Sequence, residues 1–288
     1  MTVRRVAPMD TPILIAGEIG TGKGVLARAI HGWGKHPEGP FVSIDCAARS
    51  MAYVDLTLFG DTLAGEQVIT ADQPPLVRRV LGGTLLLKRI ESLSSRSQKR
   101  LARLLETRTY EPGGNSSSIP FEGRIIATTR TLELPSMQDA LGLLLDRVRV
   151  KLPALRERAA DIPMLAQRYL AFARQNTERQ VFGFAAEAID QLVSYEWPEN
   201  LRELHIVVDE AFAGADSAYI DARHLRNSLR NVLPRTRPRA GDPISLRDLE
   251  AAHIRETLAS QSSLQAAADR LGLELQALYR RRKQYGLE

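Results

Sequence analysis

The sequence predicts an α/β domain built on a parallel sheet, then a small all-α module, then a C-terminal helix-turn-helix. Two observations predict this order. Up to Pro153, short apolar runs alternate with amphipathic stretches, which is typical of strand–helix units in a parallel sheet. After Pro153, helix patterns follow one another with no strand between them. We therefore predict an α/β core at 1–153, a helical module at 154–232, a linker at 233–243 and a helix-turn-helix at 244–288.

The α/β region contains five apolar or mixed runs that predict strands. These runs are Ile13–Ala16, Phe41–Ile44, Thr84–Leu87, Arg124–Ala127 and Val148–Lys151. The first, third and fourth runs are nearly continuous in apolar residues, as expected for strands that are covered on both faces. Amphipathic helices are predicted between the strands, at Lys23–Trp33, Ser94–Thr107 and Met137–Asp146.

Helices alone are predicted beyond the α/β region. Four cover the next module, at Asp161–Thr177, Ala185–Tyr195, Asn200–Ala213 and Asp221–Val232. Residues 233–243 contain three prolines, three arginines and a glycine, and this composition predicts a linker. Three further helices are predicted after it, at Ser245–Ser260, Ser263–Leu271 and Leu273–Tyr285.

The composition excludes several classes of protein. Of the 288 residues, 44% are hydrophobic and 25% are charged, which is the balance of a folded globular chain. No apolar run approaches the roughly 20 residues that a membrane-spanning helix needs. The N-terminus lacks the apolar core of a signal peptide, so we expect a cytoplasmic protein with no membrane partner. A single cysteine, Cys46, and five scattered histidines predict neither a disulfide nor a metal site.

A glycine-rich loop joins the first predicted strand to the first predicted helix. Its glycines let backbone N–H groups point at phosphate oxygens, and the helix N-terminus and a lysine add positive charge. The common pattern places Ser or Thr after the lysine to help hold magnesium, but here that residue is glycine. The alternative is a strand–helix turn with no ligand. The candidate nucleotide-binding residues are Gly17, Glu18, Ile19, Gly20, Thr21, Gly22, Lys23 and Gly24.

The segment Gly17–His31, GEIGTGKGVLARAIH, resembles the GESGTGKELVARAIH segment of bacterial enhancer-binding proteins. These are the AAA+ ATPases that activate sigma-54 RNA polymerase. Further segments resemble the family in the same order: Phe41–Ala48, Leu58–Gly60, Gly82–Leu85, Leu152–Arg158, Asp161–Pro163 and Trp197–Leu204. The resemblance implies an AAA+ core, an α-helical lid and a Fis-type helix-turn-helix. It also implies ATP or ADP as ligand, contacted by Arg202 of the lid.

The same resemblance exposes a charge reversal at the end of the third strand. After Gly-Gly-Thr-Leu-x-Leu the family has Asp-Glu, where the aspartate coordinates magnesium and the glutamate polarises the attacking water. This chain has Lys88 and Arg89 at those positions. A lysine repels the metal, and an arginine cannot accept a proton. We therefore predict a pseudo-ATPase with no catalytic residue and no bound Mg²⁺.

Other family features are replaced as well. The two arginines that reach a neighbouring subunit's nucleotide align with Gln138 and Leu144. The asparagine that links the nucleotide to the remodelling loop aligns with Asp45, and the sensor asparagine with Arg130. The loop that touches sigma-54 aligns with Ala64–Ile69 and lacks its phenylalanine, so we expect no sigma-54 remodelling. Because the chain begins shortly before its first strand, we expect an incomplete adenine pocket and no N-terminal regulatory domain.

The C-terminal segment predicts a DNA-binding surface. Gly272 lies at the turn, and the second helix of the motif is expected in the major groove. There Gln276 can pair with adenine, Glu274 can accept from cytosine, and the basic tract that follows suits phosphates. The alternative is a solvated basic end of a helical hairpin. The candidate DNA contacts are Gln265, Glu274, Gln276, Ala277, Arg280, Arg281, Arg282 and Lys283.

These observations support one principal hypothesis. The chain is a DNA-binding transcription regulator whose degenerate AAA+ domain binds nucleotide without hydrolysing it or remodelling sigma-54. Its expected partners are double-stranded DNA, RNA polymerase holoenzyme or an active paralogue, and a second copy paired through the helix at 245–260, as a dimer or higher oligomer. The alternative is an ATP-dependent sigma-54 activator with atypical catalytic residues, and a third possibility is a decayed gene product.

Overall fold

The computed structural model describes residues 3–47, 50–60, 74–111, 118–130, 139–175, 177, 179–232, 245–260 and 263–285. The chain forms two compact units, residues 1–228 and residues 229–288. The proposed linker at 233–243, the aligned remodelling loop at 64–69 and Gln138 lie outside the described residues. Within the described part of the chain, no helix is both long and apolar enough to cross a bilayer.

The strands of the described residues are short. In chain order they are β1 (Ile13–Ala16), β2 (Phe41–Asp45), β3 (Thr84–Lys88), β4 (Thr109–Tyr110), β5 (Ile119–Pro120), β6 (Arg124–Thr129), β7 (Arg149–Lys151), β8 (Gly183–Phe184) and β9 (Tyr219–Ile220). Five of them form one parallel sheet in the order β2-β3-β6-β1-β7. The predicted α/β fold with a parallel sheet is thereby confirmed.

Helices make up most of the rest of the described chain. They are α1 (Val3–Val6), α2 (Lys23–Gly32), α3 (Met51–Phe59), α4 (Leu76–Arg79), α5 (Ser95–Thr107), α6 (Asp139–Leu145), α7 (Ile162–Arg174), α8 (Ala186–Ser194), α9 (Asn200–Gly214), α10 (Ala222–Val232), α11 (Leu246–Ser260), α12 (Leu264–Leu271) and α13 (Leu275–Tyr285). A 3₁₀ segment at Leu155–Asp161 leads from the core into the lid, the helical module that follows.

The sheet is buried on both faces, as its apolar strands predict. Leu85 and Leu87 of β3 pack into one hydrophobic cluster with Leu14 of β1. Leu86 points the other way and packs with Ile13 and other residues of a second cluster. Because successive residues of a strand face opposite sides, a continuous apolar run fills both layers. The carboxyl ends of β1, β3 and β6 therefore meet at one edge, where loops can gather functional side chains.

One prediction about the lid is wrong. It is not all-α, because β8 and β9 pair in parallel, Gly183 with Tyr219 and Phe184 with Ile220. Backbone hydrogen bonds flank this pair, from Phe182 N to Ala218 O at 2.8 Å and from Ala185 N to Ile220 O at 2.8 Å. A two-residue strand is too short to show the alternating pattern on which a sequence-based prediction rests.

The C-terminal unit has a small core of its own. Ile254 of α11, Ala267 and Ala268 of α12 and Leu278 of α13 are fully buried together. Alanines at the contact let the helices approach closely. Gly272 adopts a φ of +65° between α12 and α13, in the left-handed region that favours glycine. The fold of this unit therefore matches the predicted helix-turn-helix.

Candidate functional site

The glycine-rich loop connects the end of β1 to the start of α2. Gly20 and Gly22 have φ values of +78° and +100°, a conformation that side chains disfavour. A Cβ atom on Gly20 would lie 1.8 Å from the carbonyl oxygen of Glu199, at the start of the lid helix α9. Gly20 is therefore required both by the turn and by the close approach of the lid.

Lys23, the first residue of α2, turns its side chain back into the loop. Its Nζ donates hydrogen bonds to the carbonyl oxygens of Gly17, at 2.6 Å, and Glu18, at 2.7 Å. Burial lowers the pKa of Lys23, although the negative charge of Glu91 opposes this shift. No carboxylate of the described residues lies within ion-pair distance of the ammonium group. The cation is therefore held inside the glycine-rich loop.

The lid contacts the loop through polar side chains, among them Arg156 and Asn200. Arg156 forms a two-pronged ion pair with Glu18, at 2.9 Å and 2.6 Å, which lowers the pKa of Glu18 to about 2. Asn200 is fully buried and donates to the Ile19 carbonyl oxygen at 2.8 Å. Its own Oδ1 accepts a hydrogen bond from Leu155 N at 2.7 Å. These contacts hold the lid against the glycine-rich loop.

Two further hydrogen bonds complete this contact. The Leu201 backbone N–H donates to the Gly20 carbonyl oxygen at 3.0 Å, and the Arg158 guanidinium donates to the Thr21 carbonyl oxygen at 3.1 Å. The segment that makes these contacts is anchored by Trp197, which is fully buried and donates from Nε1 to Leu192 O at 2.8 Å. A change in the position of the lid would therefore break hydrogen bonds that hold the loop in its conformation.

A cavity of about 680 Å³ opens between the loop, the strand ends and the lid. This volume lies within the range of small-molecule sites. Six of the nine predicted nucleotide-binding residues line it: Ile19, Gly20, Gly22, Lys23, Gly24 and Arg202. Gly17, Glu18 and Thr21 do not, and the Thr21 hydroxyl is bonded to Glu18 O at 2.9 Å. The Arg202 side chain is exposed and forms no ion pair with a described carboxylate.

The charge reversal predicted at the end of β3 lies in the same cavity. Lys88 and Arg89 both line it, as does Asp45 of the neighbouring strand β2. Arg89 Nε donates to Asp45 Oδ1 at 2.7 Å, and a second guanidinium nitrogen lies 2.6 Å from the same oxygen. Burial acts to raise the pKa of Asp45, but the Arg89 hydrogen bond, the Ala47 backbone N–H and the charges of Arg89 and Lys88 together lower the pKa below its usual value. Asp45 is therefore an ionised carboxylate that is paired with Arg89.

A further carboxylate near the site was missed by sequence reasoning. Both carboxylate oxygens of Glu91 are buried and accept no hydrogen bond from the described residues. The closest ion-pair partner described is Arg130, whose Nε lies 3.5 Å from Glu91 Oε1. Glu91 lies two residues after Arg89, and nothing in its residue type indicated that its carboxylate would be buried near the cavity. Arg130 also lines the cavity.

The predicted DNA-contact residues of the C-terminal unit differ in their exposure. Five side chains are exposed: Gln265, Glu274, Gln276, Arg280 and Lys283. Ala277, Arg281 and Arg282 are half-buried. Gln265 donates to Asp269 at 2.9 Å.

Arg281 has an internal partner. It is paired with Glu250 of α11, which also accepts from the Tyr285 hydroxyl at 2.6 Å. In this structure Arg281 therefore serves to join α13 to α11.

The exposed side of α13 forms one continuous stripe. Gln276, Arg280 and Lys283 are separated by four and three residues, so they lie on the same helical face. Tyr279 lies beside them and is 51% exposed. This aromatic residue was not among the predicted contacts, although its spacing from Gln276 would have indicated the face. We call Gln276, Tyr279, Arg280 and Lys283 the α13 face.

Comparison with protein families assigns three regions of the chain. Residues 1–142 match the sigma-54 interaction domain, residues 156–242 match the AAA+ ATPase lid domain, and residues 245–285 match the Fis family of bacterial regulatory proteins. These regions follow one another in the order that the resemblance implied. The expected AAA+ core, lid and Fis-type helix-turn-helix are thereby confirmed.

Individual relatives are transcriptional regulators. The alginate biosynthesis transcriptional regulatory protein AlgB of Pseudomonas aeruginosa PAO1 is 37% identical over 292 residues, covering 99% of this chain and 65% of AlgB. The transcriptional regulatory protein ZraR of Escherichia coli K12 is 33% identical over 225 residues, covering 76% of this chain and 51% of ZraR. The chain therefore spans less than two thirds of the length of these relatives.

A solved structure has a similar fold along the whole chain. NtrX from Brucella abortus, determined in complex with ADP, superposes with a TM-score of 0.69 at 25% sequence identity, covering 99% of this chain and 66% of NtrX. Family assignment, relatives and fold thus agree. The chain is homologous to AlgB and ZraR and consists of a sigma-54 interaction domain, an AAA+ ATPase lid domain and a Fis-family regulatory domain with a helix-turn-helix fold.

Proposed function

We propose that this chain is a DNA-binding transcription regulator whose AAA+ core binds a nucleotide and does not hydrolyse it. One observation carries the proposal: Lys88 and Arg89 line the phosphate cavity, and Arg89 occupies the nearby carboxylate of Asp45. Hydrolysis in this class of site needs a metal ion and a group that orients the attacking water. Two cations at the end of β3 supply neither function.

The residues of the cavity do not fit a magnesium ion. Magnesium prefers oxygen ligands, chiefly carboxylates, water and the phosphates of the substrate. Gly24 has no hydroxyl to offer, Asp45 is paired with Arg89, and Glu91 faces Arg130. Lys88 adds a positive charge where the metal would need a negative one. We therefore propose that no magnesium ion is held by this site.

Nucleotide binding has a structural role in this proposal. The loop presents Lys23 at its centre, and the lid holds the same loop through Arg156 and Asn200. A nucleotide in the cavity would bridge the loop and Arg202 of the lid, and would so stabilise the first unit by mass action. The NtrX structure with ADP supports ATP or ADP as the ligand.

DNA recognition is proposed for the C-terminal unit. The α13 face places an amide, an aromatic ring and two cations on one exposed side of a helix that follows a helix-turn-helix turn. In such motifs this helix enters the major groove, with polar side chains on base edges and basic ones on phosphates. We propose Gln276 for base contact, Arg280 and Lys283 for phosphate contact, and a dimer that binds a palindromic site.

The proposed protein partner is RNA polymerase holoenzyme or an active paralogue. The family match over residues 1–142 supports a partner of the sigma-54 class. A chain that retains this fold without turnover could co-assemble with active relatives and alter their output.

A second candidate function is favoured by Glu91. Its buried carboxylate lies near the cations of the site and has no hydrogen-bond donor among the described residues. A carboxylate of this kind can act as a general base, so Glu91 could replace the missing glutamate. The second candidate is accordingly an ATP-dependent sigma-54 activator with a displaced catalytic carboxylate.

A transcription assay separates the two candidates. A binding site is first selected from random DNA, placed upstream of a sigma-54 promoter, and open complexes are scored by permanganate footprinting with ATP and Mg²⁺. We expect occupied binding sites and no ATP-dependent open complex, because no hydrolysis drives remodelling. An active homologue serves as the positive control. Open complexes that disappear in a Glu91→Gln variant would establish the second candidate instead.

A further inference from the structure

The cavity is lined by far more positive than negative charge. Its described lining includes five cationic side chains, Lys23, Lys88, Arg89, Arg130 and Arg202, and the single carboxylate of Asp45. Two of these cations have a carboxylate partner, since Arg89 pairs with Asp45 and Arg130 with Glu91. The other three have none within ion-pair distance in the described part of the chain. An uncompensated cluster of cations in a cavity attracts anionic ligands.

The three uncompensated cations come from three different elements. Lys23 lies at the start of α2, directly after the glycine-rich loop, Lys88 at the end of β3, and Arg202 on the lid helix α9. They therefore surround the cavity instead of forming a patch on one wall. A compact, multiply charged anion such as a di- or triphosphate can contact all three elements at once.

Magnesium would weaken this attraction. A metal ion normally bridges phosphate oxygens and neutralises part of their charge. Here Lys88 already supplies a positive charge at the strand end, and Arg89 withdraws Asp45 from metal coordination. A phosphate chain that carries its metal ion brings less negative charge into the cavity, and it also brings a second cation close to Lys88.

We infer that this cavity binds a di- or triphosphate group without magnesium, with Lys88 in the electrostatic role of the metal ion. The inference rests on the proposed function, because it requires a core that binds a nucleotide and does not turn it over. It goes beyond that function by naming the charge state of the ligand. It also assigns Arg89 a role, which is to keep the Asp45 carboxylate from serving as a metal ligand.

Calorimetric titration of the full chain tests this inference. ATP is titrated in excess EDTA and again in excess MgCl₂, with ADP and inorganic triphosphate as further ligands. We expect ATP to bind roughly tenfold more tightly in EDTA than with magnesium. If inorganic triphosphate binds as tightly as ATP, the phosphate group alone is the ligand. If ATP binds more tightly, the ligand is a nucleotide. Tighter binding with magnesium, or no binding in EDTA, would overturn the inference.

Two variants assign the effect to the strand end. Lys88→Met is expected to lose roughly tenfold in affinity in EDTA and to bind equally with and without magnesium. The matched control is Lys99→Met, an exposed lysine of α5 outside the cavity, which should bind like the wild type. A Lys88→Met variant that still binds ATP more tightly in EDTA than with magnesium would also overturn the inference.

A third variant keeps the test decisive should Lys88→Met fold poorly. Lys88→Asp/Arg89→Glu is expected to invert the preference toward magnesium, because it restores oxygen ligands at the strand end. A double variant that still prefers EDTA would count against the inference. Phosphate release is followed in the same samples. Release by the wild type would refute the proposed function, whereas a magnesium requirement without release would refute this inference alone.

Discussion

Removing the two exposed cations of the α13 face is expected to weaken specific DNA binding roughly 30-fold per monomer at about 0.15 M salt. The variant is Arg280→Gln/Lys283→Gln. Each lost phosphate contact lowers the slope of log K against log[salt] by about 0.9, so the slope should fall by about 1.8. Binding to unrelated DNA should weaken in parallel, because phosphate contacts carry no sequence information.

The matched control replaces a basic residue that does not belong to this face. Arg281 is paired with Glu250, so Arg281→Gln should lower the thermal stability of the C-terminal unit and leave the salt slope nearly unchanged. Gln276→Ala should reduce the preference for the selected site over unrelated DNA, while the slope of log K against log[salt] stays the same. Fluorescence anisotropy at several salt concentrations measures all three. An unchanged slope in the double variant would show that another surface binds DNA.

Replacing Trp197 by alanine is expected to lower the free energy of unfolding of the first unit by about 3–5 kcal/mol. The side chain is fully buried, donates to Leu192 O at 2.8 Å and packs edge-on against Tyr195 at 4.9 Å. It also supports the segment that carries Asn200. Urea unfolding followed by circular dichroism gives the free energy of unfolding.

The chain's other tryptophan provides the control. Trp33 is 44% exposed, and the Arg4 guanidinium lies over its ring, 5.1 Å from the ring centroid. Trp33→Ala should therefore cost under about 1 kcal/mol. Trp197→Phe keeps a ring and loses the indole donor, so its cost should fall between the other two. Equal losses for Trp33→Ala and Trp197→Ala would contradict the role of Trp197 as an anchor of the lid.

Much of the fold follows from local sequence patterns. The continuous apolar runs at β1, β3 and β6 indicated buried parallel strands, and the glycines of the loop after β1 indicated a phosphate cradle. Both signals depend on residues that are close in the chain, which is why they can be read from one sequence. The two-residue strands β8 and β9 gave no such signal, because they are stabilised by each other and are far apart in the sequence.

Most residues of the candidate site could be predicted from the sequence, but the ion pairs between them could not. The reversal at Lys88 and Arg89 was visible, but the ion pair of Arg89 with Asp45 joins residues that only the β2–β3 register brings together. The same holds for Arg281, whose partner Glu250 lies on another helix. Glu91 was passed over because its burial, and not its residue type, distinguishes it. Long-range contacts decide which charges of the site are compensated.

The central claim is that a core with cations at the end of β3 does not cleave ATP. The most direct test is phosphate release from ATP with Mg²⁺ by the purified wild type, measured beside Lys23→Ala, in which the loop cation is lost. We predict that the two proteins release phosphate at the same background rate. Release by the wild type that Lys23→Ala abolishes would contradict the claim, and its further loss in Glu91→Gln would identify the carboxylate responsible.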